Sequence, residues 1–284
     1  MQTNAPRSLL ITGCSSGIGL AAARTMTGRG WRVFATCRKP ADVQRLAAEG
    51  LESLQLDLDD SASIRAAVEE VLRRTGGGLD ALFNNGGFGQ TGAVEDLSRQ
   101  ALREQFETNL FGWVELSNLV IPIMRRQGHG RMVMNSSVLG LAALPYRGAY
   151  VAAKFALEGL TDTLRLELAG SGIAVSLIEP GPIATRFREN ALDHFRRHID
   201  VAASVHRAAY EAQLARLEHP GPAAPFTLPS AAVVDKLIHA LESRRPRPRY
   251  YVTVPTHLIG HARRLLTTRG LDRLLTRISG GGRR

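Results

Sequence analysis

Tyr150 and Lys154 stand four residues apart in the stretch AYVAAKFALEGL, thirteen residues after Ser137. Four residues make about one helical turn, so a helix here projects the phenol and the ammonium from one face. A free tyrosine, with a pKa of about 10, is a poor acid at neutral pH. A cation beside it favours the phenolate and lowers that value. Such a tyrosine can pass a proton to or from a carbonyl or alcohol oxygen. The lysine stands out because the chain uses arginine almost everywhere and has lysine only at 39, 154 and 236. Arginine cannot exchange a proton near neutral pH.

A second signal lies in SLLITGCSSGIGLAAA, residues 8–23. Leu9 to Thr12 is a short apolar run suited to a buried parallel strand. Gly13, Gly17 and Gly19 follow, interleaved with Ser15, Ser16 and Ile18, and an alanine-rich helical stretch begins. Glycine lets the backbone turn sharply and approach a ligand closely. The N–H groups and positive dipole end of the new helix suit a pyrophosphate. The spacing is G-x-x-x-G-x-G rather than the commoner G-x-G-x-x-G. Alone it fits a tight turn that binds nothing. Paired with the Tyr/Lys helix, it reads as a dinucleotide loop.

Strand and helix patterns alternate along the chain and must hold these groups. Strands are expected at 8–12, 31–36, 51–56, 79–84, 131–136, 174–179 and 250–254, and helices at 17–28, 40–48, 61–75, 98–127, 148–170 and 230–243. The alternation implies an α/β fold: a doubly wound, Rossmann-type, seven-stranded parallel sheet with helices on both faces. Its ligand belongs at the carboxyl ends of the strands. The glycine motif, Cys37-Arg38, Asp57, Asn84-Asn85, Ser137 and Pro180-Gly181 all follow strand patterns, which puts them along one edge of the sheet. At 284 residues the chain fits one domain, 1–284, with a large core. Residues 186–229 interrupt the rhythm: 189–217 is helical in pattern and 219–229 is proline-rich. So long a connection on the binding edge suits a lid or substrate wall. Its Arg186, Arg188, His194, Arg196, Arg197 and His198 either contact an acidic group or, the preferred reading, form a solvated helix face.

The net charge of +10 is concentrated at the end: residues 241–284 hold eleven arginines against Glu242 and Asp272. This basicity belongs to the tail, 255–284, and without a recognisable module it carries no expectation of nucleic-acid binding. Leu258, Ala262 and Leu265 share one helical face there, and Leu271, Leu274, Leu275 and Ile278 a second. Packing of these faces on the domain or a second subunit is preferred over peripheral contact with an anionic membrane. Two cysteines, Cys14 and Cys37, make no disulfide framework and point to a reducing, cytoplasmic setting. The glycines interrupt the N-terminal apolar stretch and argue against a signal peptide, and no run is long enough to span a bilayer. No metal is expected.

Thr12-Gly13-x-x-x-Gly17-Ile18-Gly19, Asn84-Asn85-Gly86-Gly87, Asn109, Ser137, Tyr150-x-x-x-Lys154 and Pro180-Gly181 occur in an order that resembles the short-chain dehydrogenase/reductase family. The resemblance is strong over about residues 7–185 and weak beyond. The pieces VLG and YVAAKFALEGL look most like the 17β-hydroxysteroid and retinol dehydrogenase branch. Gly86 stands where the family usually has alanine, which loosens that loop, and Ala153 where serine is frequent. The resemblance implies hydride transfer between nicotinamide C4 and a carbinol carbon, in a homo-oligomer. Tyr150 would carry the oxygen-bound proton and Ser137 would hydrogen-bond the same oxygen. Lys154 would bind the nicotinamide ribose and favour the phenolate, and Asn109 would hold a water continuing the proton path. Asp57 and Leu58 would meet the adenine, Asn85, Gly86 and Gly87 would pass under its ribose, and Pro180, Gly181, Ile183 and Thr185 would close over the nicotinamide.

From the residues alone, alternatives stay open. Asn109 also reads as a buried helix asparagine, and Asp57 as a helix N-terminal acid, although Asp59, Asp60 and Ser61 fit that better. Ser136 competes with Ser137. Tyr146 competes with Tyr150 but has a tyrosine, not a lysine, four residues on, and is expected to line the pocket. Cys37 takes the place of the family's NAD-selective acid, and Arg38 with Lys39 can clasp a phosphate, so NADP(H) is expected over NAD(H). Val138, Leu139, Leu141, Leu144, Pro145 and Phe187 suggest a hydrophobic carbonyl or alcohol substrate of steroid, retinoid or long-chain type. The rival readings are a 3-oxoacyl-thioester reductase, whose usual compact form lacks the 186–229 segment, and a non-catalytic NADP(H)-binding sensor or scaffold.

Overall fold

The computed structural model describes residues 6–218 and 224–279. Five residues of the expected proline-rich loop, 219–223, and the chain's last residues, 280–284, lie outside that description. Strands β1 (Ser8–Ile11), β2 (Arg32–Cys37), β3 (Glu52–Gln55), β4 (Ala81–Asn84), β5 (Gly130–Asn135) and β6 (Ile173–Glu179) alternate with helices. Those helices are α1 (Gly17–Gly28), α2 (Pro40–Ala48), α3 (Ser61–Thr75), α4 (Arg99–Phe106), α5 (Gly112–Gln127) and α6 (Gly148–Glu167). After β6 come a short β7 (Ile183–Ala184), α7 (Phe187–His198), α8 (Arg207–Glu218), β8 (Leu228–Pro229) and α9 (Ala231–Glu242). The description ends with β9 (Arg249–Tyr251), α10 (Val254–Leu265) and α11 (Thr268–Ile278).

Seven strands form one sheet in the order β3-β2-β1-β4-β5-β6-β9, and every pairing is parallel. Successive side chains along a strand point to opposite faces. Leu10, Phe34, Leu82 and Met132 therefore meet α3, α5 and α6 in one core. Leu9, Ile11, Val33, Phe83 and Val133 face α1 and α9 in the other. Burial on both faces explains why β1 and β4 read as continuous apolar runs. Each fully buried Leu, Val or Phe contributes about 1.5–3 kcal/mol.

Three elements depart from the expected ones. The single helix expected over 98–127 is interrupted by a π-helical turn, Glu107–Phe111, between α4 and α5. Close packing sits beside it: a Cβ on Gly112 would lie 2.1 Å from the Leu58 carbonyl oxygen. Such turns are rare overall but frequent at functional sites, and Asn109 lies within this one. The helical pattern at 189–217 divides into α7 and α8, with Asp200 accepting from the Ala202 and Ala203 N–H groups between them. The last strand ends at Tyr251 rather than 254, because α10 begins at Val254 with proline in its first turn.

The tail folds back on its own sheet edge. Ile259 and Leu275 are buried against Leu141 and Ala142, with Val138, Leu144, Tyr251 and Leu271 packed around them. The expected face of Leu258 and Leu265 is instead exposed, at 66% and 83%, because Ile259 turns inward and sets the helix rotation. Among the described residues no helix is long and apolar enough to cross a membrane.

Candidate active site

The glycine loop joins β1 to α1 and packs on the loop after β4. Gly13 and Gly17 have φ of +71° and +59°, conformations open to glycine. A Cβ on Gly13 would lie 2.5 Å from the Gly86 Cα, and one on Gly19 would lie 2.2 Å from the Gly13 carbonyl oxygen. Ser16 caps α1 with extended backbone but makes no side-chain cap bond, so the first-turn N–H groups can receive an anion. These features fit a dinucleotide pyrophosphate. Thr185 lies across the loop, its Cβ and Cγ2 each 3.1 Å from where a Cβ on Gly17 would be.

The loop after β4 is held from both sides. Thr12 Oγ1 accepts from the Asn85 and Gly86 N–H groups at 2.8 and 2.9 Å, and Asn85 Nδ2 donates to the Thr12 carbonyl at 2.9 Å. Trp113 Nε1 donates to the Gly86 carbonyl at 2.8 Å. A Cβ on Gly86 would lie 3.1 Å from Leu58 Cδ1 and 3.2 Å from Gly13 N, so the glycine that replaces alanine permits close packing in a loop that stays pinned. Further on, Asn109 Nδ2 donates to the Phe88 carbonyl at 2.8 Å and Oδ1 accepts from the Phe88 N–H at 3.1 Å. The Asn109 amide is thus engaged with backbone, and it presses on Gly87. Gln105, which the sequence did not single out, joins it by binding Phe88 and Gln90.

The Tyr150 and Lys154 side chains do leave one face of α6, and both are buried. The Ser137 hydroxyl accepts from the Leu139 N–H at 3.1 Å. Burial pushes the Tyr150 phenol up to about 12, with Ser137 pulling the other way. Burial also pulls Lys154 down to about 7, against the opposite effect of Glu158. The expectation that the lysine lowers the phenol is therefore overturned here, because desolvation of both groups dominates. The ammonium donates to the Asn135 carbonyl at 2.7 Å and sits 4.4 Å from the Trp113 ring centroid, but 5.7 Å from that of Tyr150. Asn135 Nδ2 in turn donates to Asn85 Oδ1 at 2.9 Å. Asn135 and Trp113 thereby link Lys154 to the glycine loop. Asn135 directly precedes the serine pair at the end of a strand pattern, a place that could have marked it.

Behind Lys154 lies an acid cluster that sequence reasoning missed. Arg249 donates to Glu158, to Glu179 at 2.7 Å and to Asp162 at 2.6 Å. Glu179 is fully buried, and burial with Glu158 nearby pushes it up to about 8. The four residues come from α6, β6 and β9, and no local spacing brings those three elements together.

Arg38 and Lys39 are exposed after β2, while Cys37 is buried and turned inward. Arg45 on α2, also missed, donates to the Ser15 carbonyl at 2.7 Å and is itself paired with Asp42 and Glu49. The Asp57 N–H donates to Ser63 Oγ and its carboxylate accepts from the Asp59 N–H, while Asp60 caps α3. Val138 N–H donates to the Pro180 carbonyl at 2.7 Å, and Gly181 packs on Thr253. Ile183 pairs with Leu228.

Phe187 lies edge-on to Tyr150, centroids 5.4 Å apart, and leans on Gly89. Tyr146 turns toward His206 and Tyr210 of the insertion, and Leu144 faces the tail cluster. Leu139 is half-buried beside Ser137. Basic residues at and along α7 pair within the chain: Arg186 with Glu189, Arg196 with Glu218, and His198 with Glu104.

The arrangement can hold a dinucleotide and deliver a proton beside it. Residues 7–195 match the family model described as short chain dehydrogenase. The chain is 45% identical over 269 residues to YbbO, an uncharacterised oxidoreductase of Escherichia coli K12, covering 95% of this chain and 94% of that one. It is 36% identical over 263 residues to human 17-beta-hydroxysteroid dehydrogenase type 1, covering 86% and 77%. A solved short-chain dehydrogenase from Streptomyces avermitilis superposes with a TM-score of 0.78 at 28% identity, over 99% of this chain and 100% of that one. With the seven-stranded parallel sheet and the ordered motifs, these likenesses place the chain in the short-chain dehydrogenase/reductase family of oxidoreductases.

Proposed function

We propose that this oxidoreductase interconverts a carbonyl and an alcohol on a hydrophobic substrate, with NADP(H) as cofactor. The observation that carries the reading is Tyr150, paired with Ser137 and set under Phe187, with Lys154 one turn behind it. When bound, the nicotinamide supplies or takes the hydride. Tyr150 gives its proton to the substrate oxygen as negative charge develops there, or takes it in the reverse direction. A phenol near 12 holds its proton at neutral pH and still yields it to an alkoxide. Ser137 hydrogen-bonds the same oxygen and stabilises that charge. Lys154, pulled down to about 7 by burial, donates to the Asn135 carbonyl at 2.7 Å, and this bond holds its amine one turn from Tyr150. Asn109 acts by fixing the Phe88 backbone beside this path.

The glycine loop from Gly13 to Gly19 with Ser15 and Ser16 would hold the pyrophosphate. Asp57, Leu58 and Asn85 to Gly87 would hold the adenosine, and Pro180, Gly181, Ile183 and Thr185 the nicotinamide side. Arg38, with Lys39, supports a 2′-phosphate at the end of β2, where the neutral Cys37 stands in place of an acid. Phe187, lying on Tyr150, supports an apolar substrate, with the 186–229 segment as its outer wall. The test is NADPH oxidation against steroid, retinal, aliphatic and acyl-thioester carbonyls. Turnover should favour the first three, and Tyr150→Phe should lose about 10²–10⁴-fold while still binding NADPH. Retained turnover in that variant, or preference for the thioester, overturns the reading.

A further inference from the structure

We propose that Glu104, His194 and His198 form a divalent-metal site, suited to zinc, that ties the insertion helix α7 to α4. His194 and His198 stand one turn apart on α7, and Glu104 reaches them from α4. The three side chains offer ligand atoms all within 4.8 Å of one another, and among the described residues no other trio of His, Cys, Asp or Glu converges in this way. His198 Nε2 already lies 2.8 Å from Glu104 Oε2, and its side chain is only 8% exposed. The two imidazoles are nearly parallel, 14° between planes with centroids 6.3 Å apart, so their edges can address one point between the helices.

A second observation concerns His194 alone. Its ring lies flat on Phe88, centroids 3.7 Å apart and 9° between planes. Its Nδ1 is buried and has no hydrogen-bond partner. A buried imidazole nitrogen without a partner is costly and calls for a ligand.

Two imidazoles and one carboxylate, with a fourth position for water, are a common zinc donor set. Tetrahedral bonds of about 2.1 Å put ligand atoms about 3.4 Å apart. A metal would therefore open the 2.8 Å His198–Glu104 pair slightly and draw His194 toward it, by small side-chain rotations. Arg197 and Arg38 face His194 with positive charge, and Glu104 offsets them. The site would fasten α7, whose first residue lies on Tyr150, to the loop that Asn109 and Gln105 hold.

The test is equilibrium dialysis of the full chain with Co(II) and with Zn(II), with visible absorption reporting the cobalt coordination. Wild type should bind one ion more per chain than His198→Gln, with a tetrahedral cobalt spectrum, and Glu104→Gln should bind about tenfold or more weakly. Thermal melting with chelator present establishes that each variant is folded. Equal stoichiometry and affinity in wild type and both variants, or no cobalt spectrum in wild type, overturns the site. Binding is read without turnover, so the result is independent of the reaction proposed above.

Discussion

Replacing Arg249 by methionine separates the electrostatics of the buried acid cluster from its packing. Arg249 alone bridges Glu158, Asp162 and Glu179. Both Glu158 and Glu179 are raised by burial, Glu179 to about 8 from an ordinary value of 4.5. An acid raised in the folded state binds more protons there than in the unfolded chain. Its contribution therefore falls as pH rises from about 4.5 through 8. Without the guanidinium both carboxyls rise further. At pH 5.5 the variant can hold both protonated, and the loss is that of hydrogen bonds, about 1 kcal/mol. At pH 8.5 it must bury uncompensated charge or take up protons against the gradient, and the loss approaches the about 3–5 kcal/mol of a broken buried pair. At about 2–4 °C per kcal/mol, the melting temperature should fall by about 3 °C at the lower pH and by about 10 °C at the higher. Thermal unfolding followed by circular dichroism at both values is the assay. A deficit that is the same at both pH values would refute the electrostatic account and leave only a packing role.

Three further outcomes are expected. Lys154→Met removes a base held near 7 in the fold against 10.5 outside it, so wild type minus variant stability should rise with pH across that interval; parallel stability curves would contradict the burial argument. Gly19→Ala places a methyl 2.2 Å from the Gly13 carbonyl oxygen and should cost about 1–3 kcal/mol and abolish NADPH fluorescence enhancement; normal titration would show that the loop yields. Arg38→Asp should lower kcat/KM for NADPH relative to NADH by about 10–100-fold, the worth of a lost charge-assisted bond; an unchanged ratio would move the phosphate contact away from Arg38.

The strands are legible because burial on both sheet faces leaves continuous apolar runs, as at Leu9–Ile11 and Ala81–Phe83. Tyr150 and Lys154 are legible because their partnership is local, one helical turn. The cluster of Glu158, Asp162, Glu179 and Arg249 and the grouping of Glu104 with His194 and His198 are made by topology. The i, i+4 pairs Glu158/Asp162 and His194/His198 are local, but their partners lie up to 94 residues away, and no local pattern marks those. The break at Glu107–Phe111 is hidden for another reason: a π turn keeps helical composition and shifts only the phase. The phenol's direction of shift failed because spacing reveals a neighbour but not the desolvation that both neighbours share.

The insertion begins and ends at β7 and β8, which pair Ile183 with Leu228 and Ala184 with Pro229. Its two ends are therefore neighbours in space, fastened by their own backbone and independent of the large sheet. Closing a longer chain between fixed ends costs only about 0.6 kcal/mol per doubling of length. The connection from Ala184 to Leu228 can therefore change length at small entropic cost. Such a change leaves the pairing of the large sheet, and with it the place of α6, as they are.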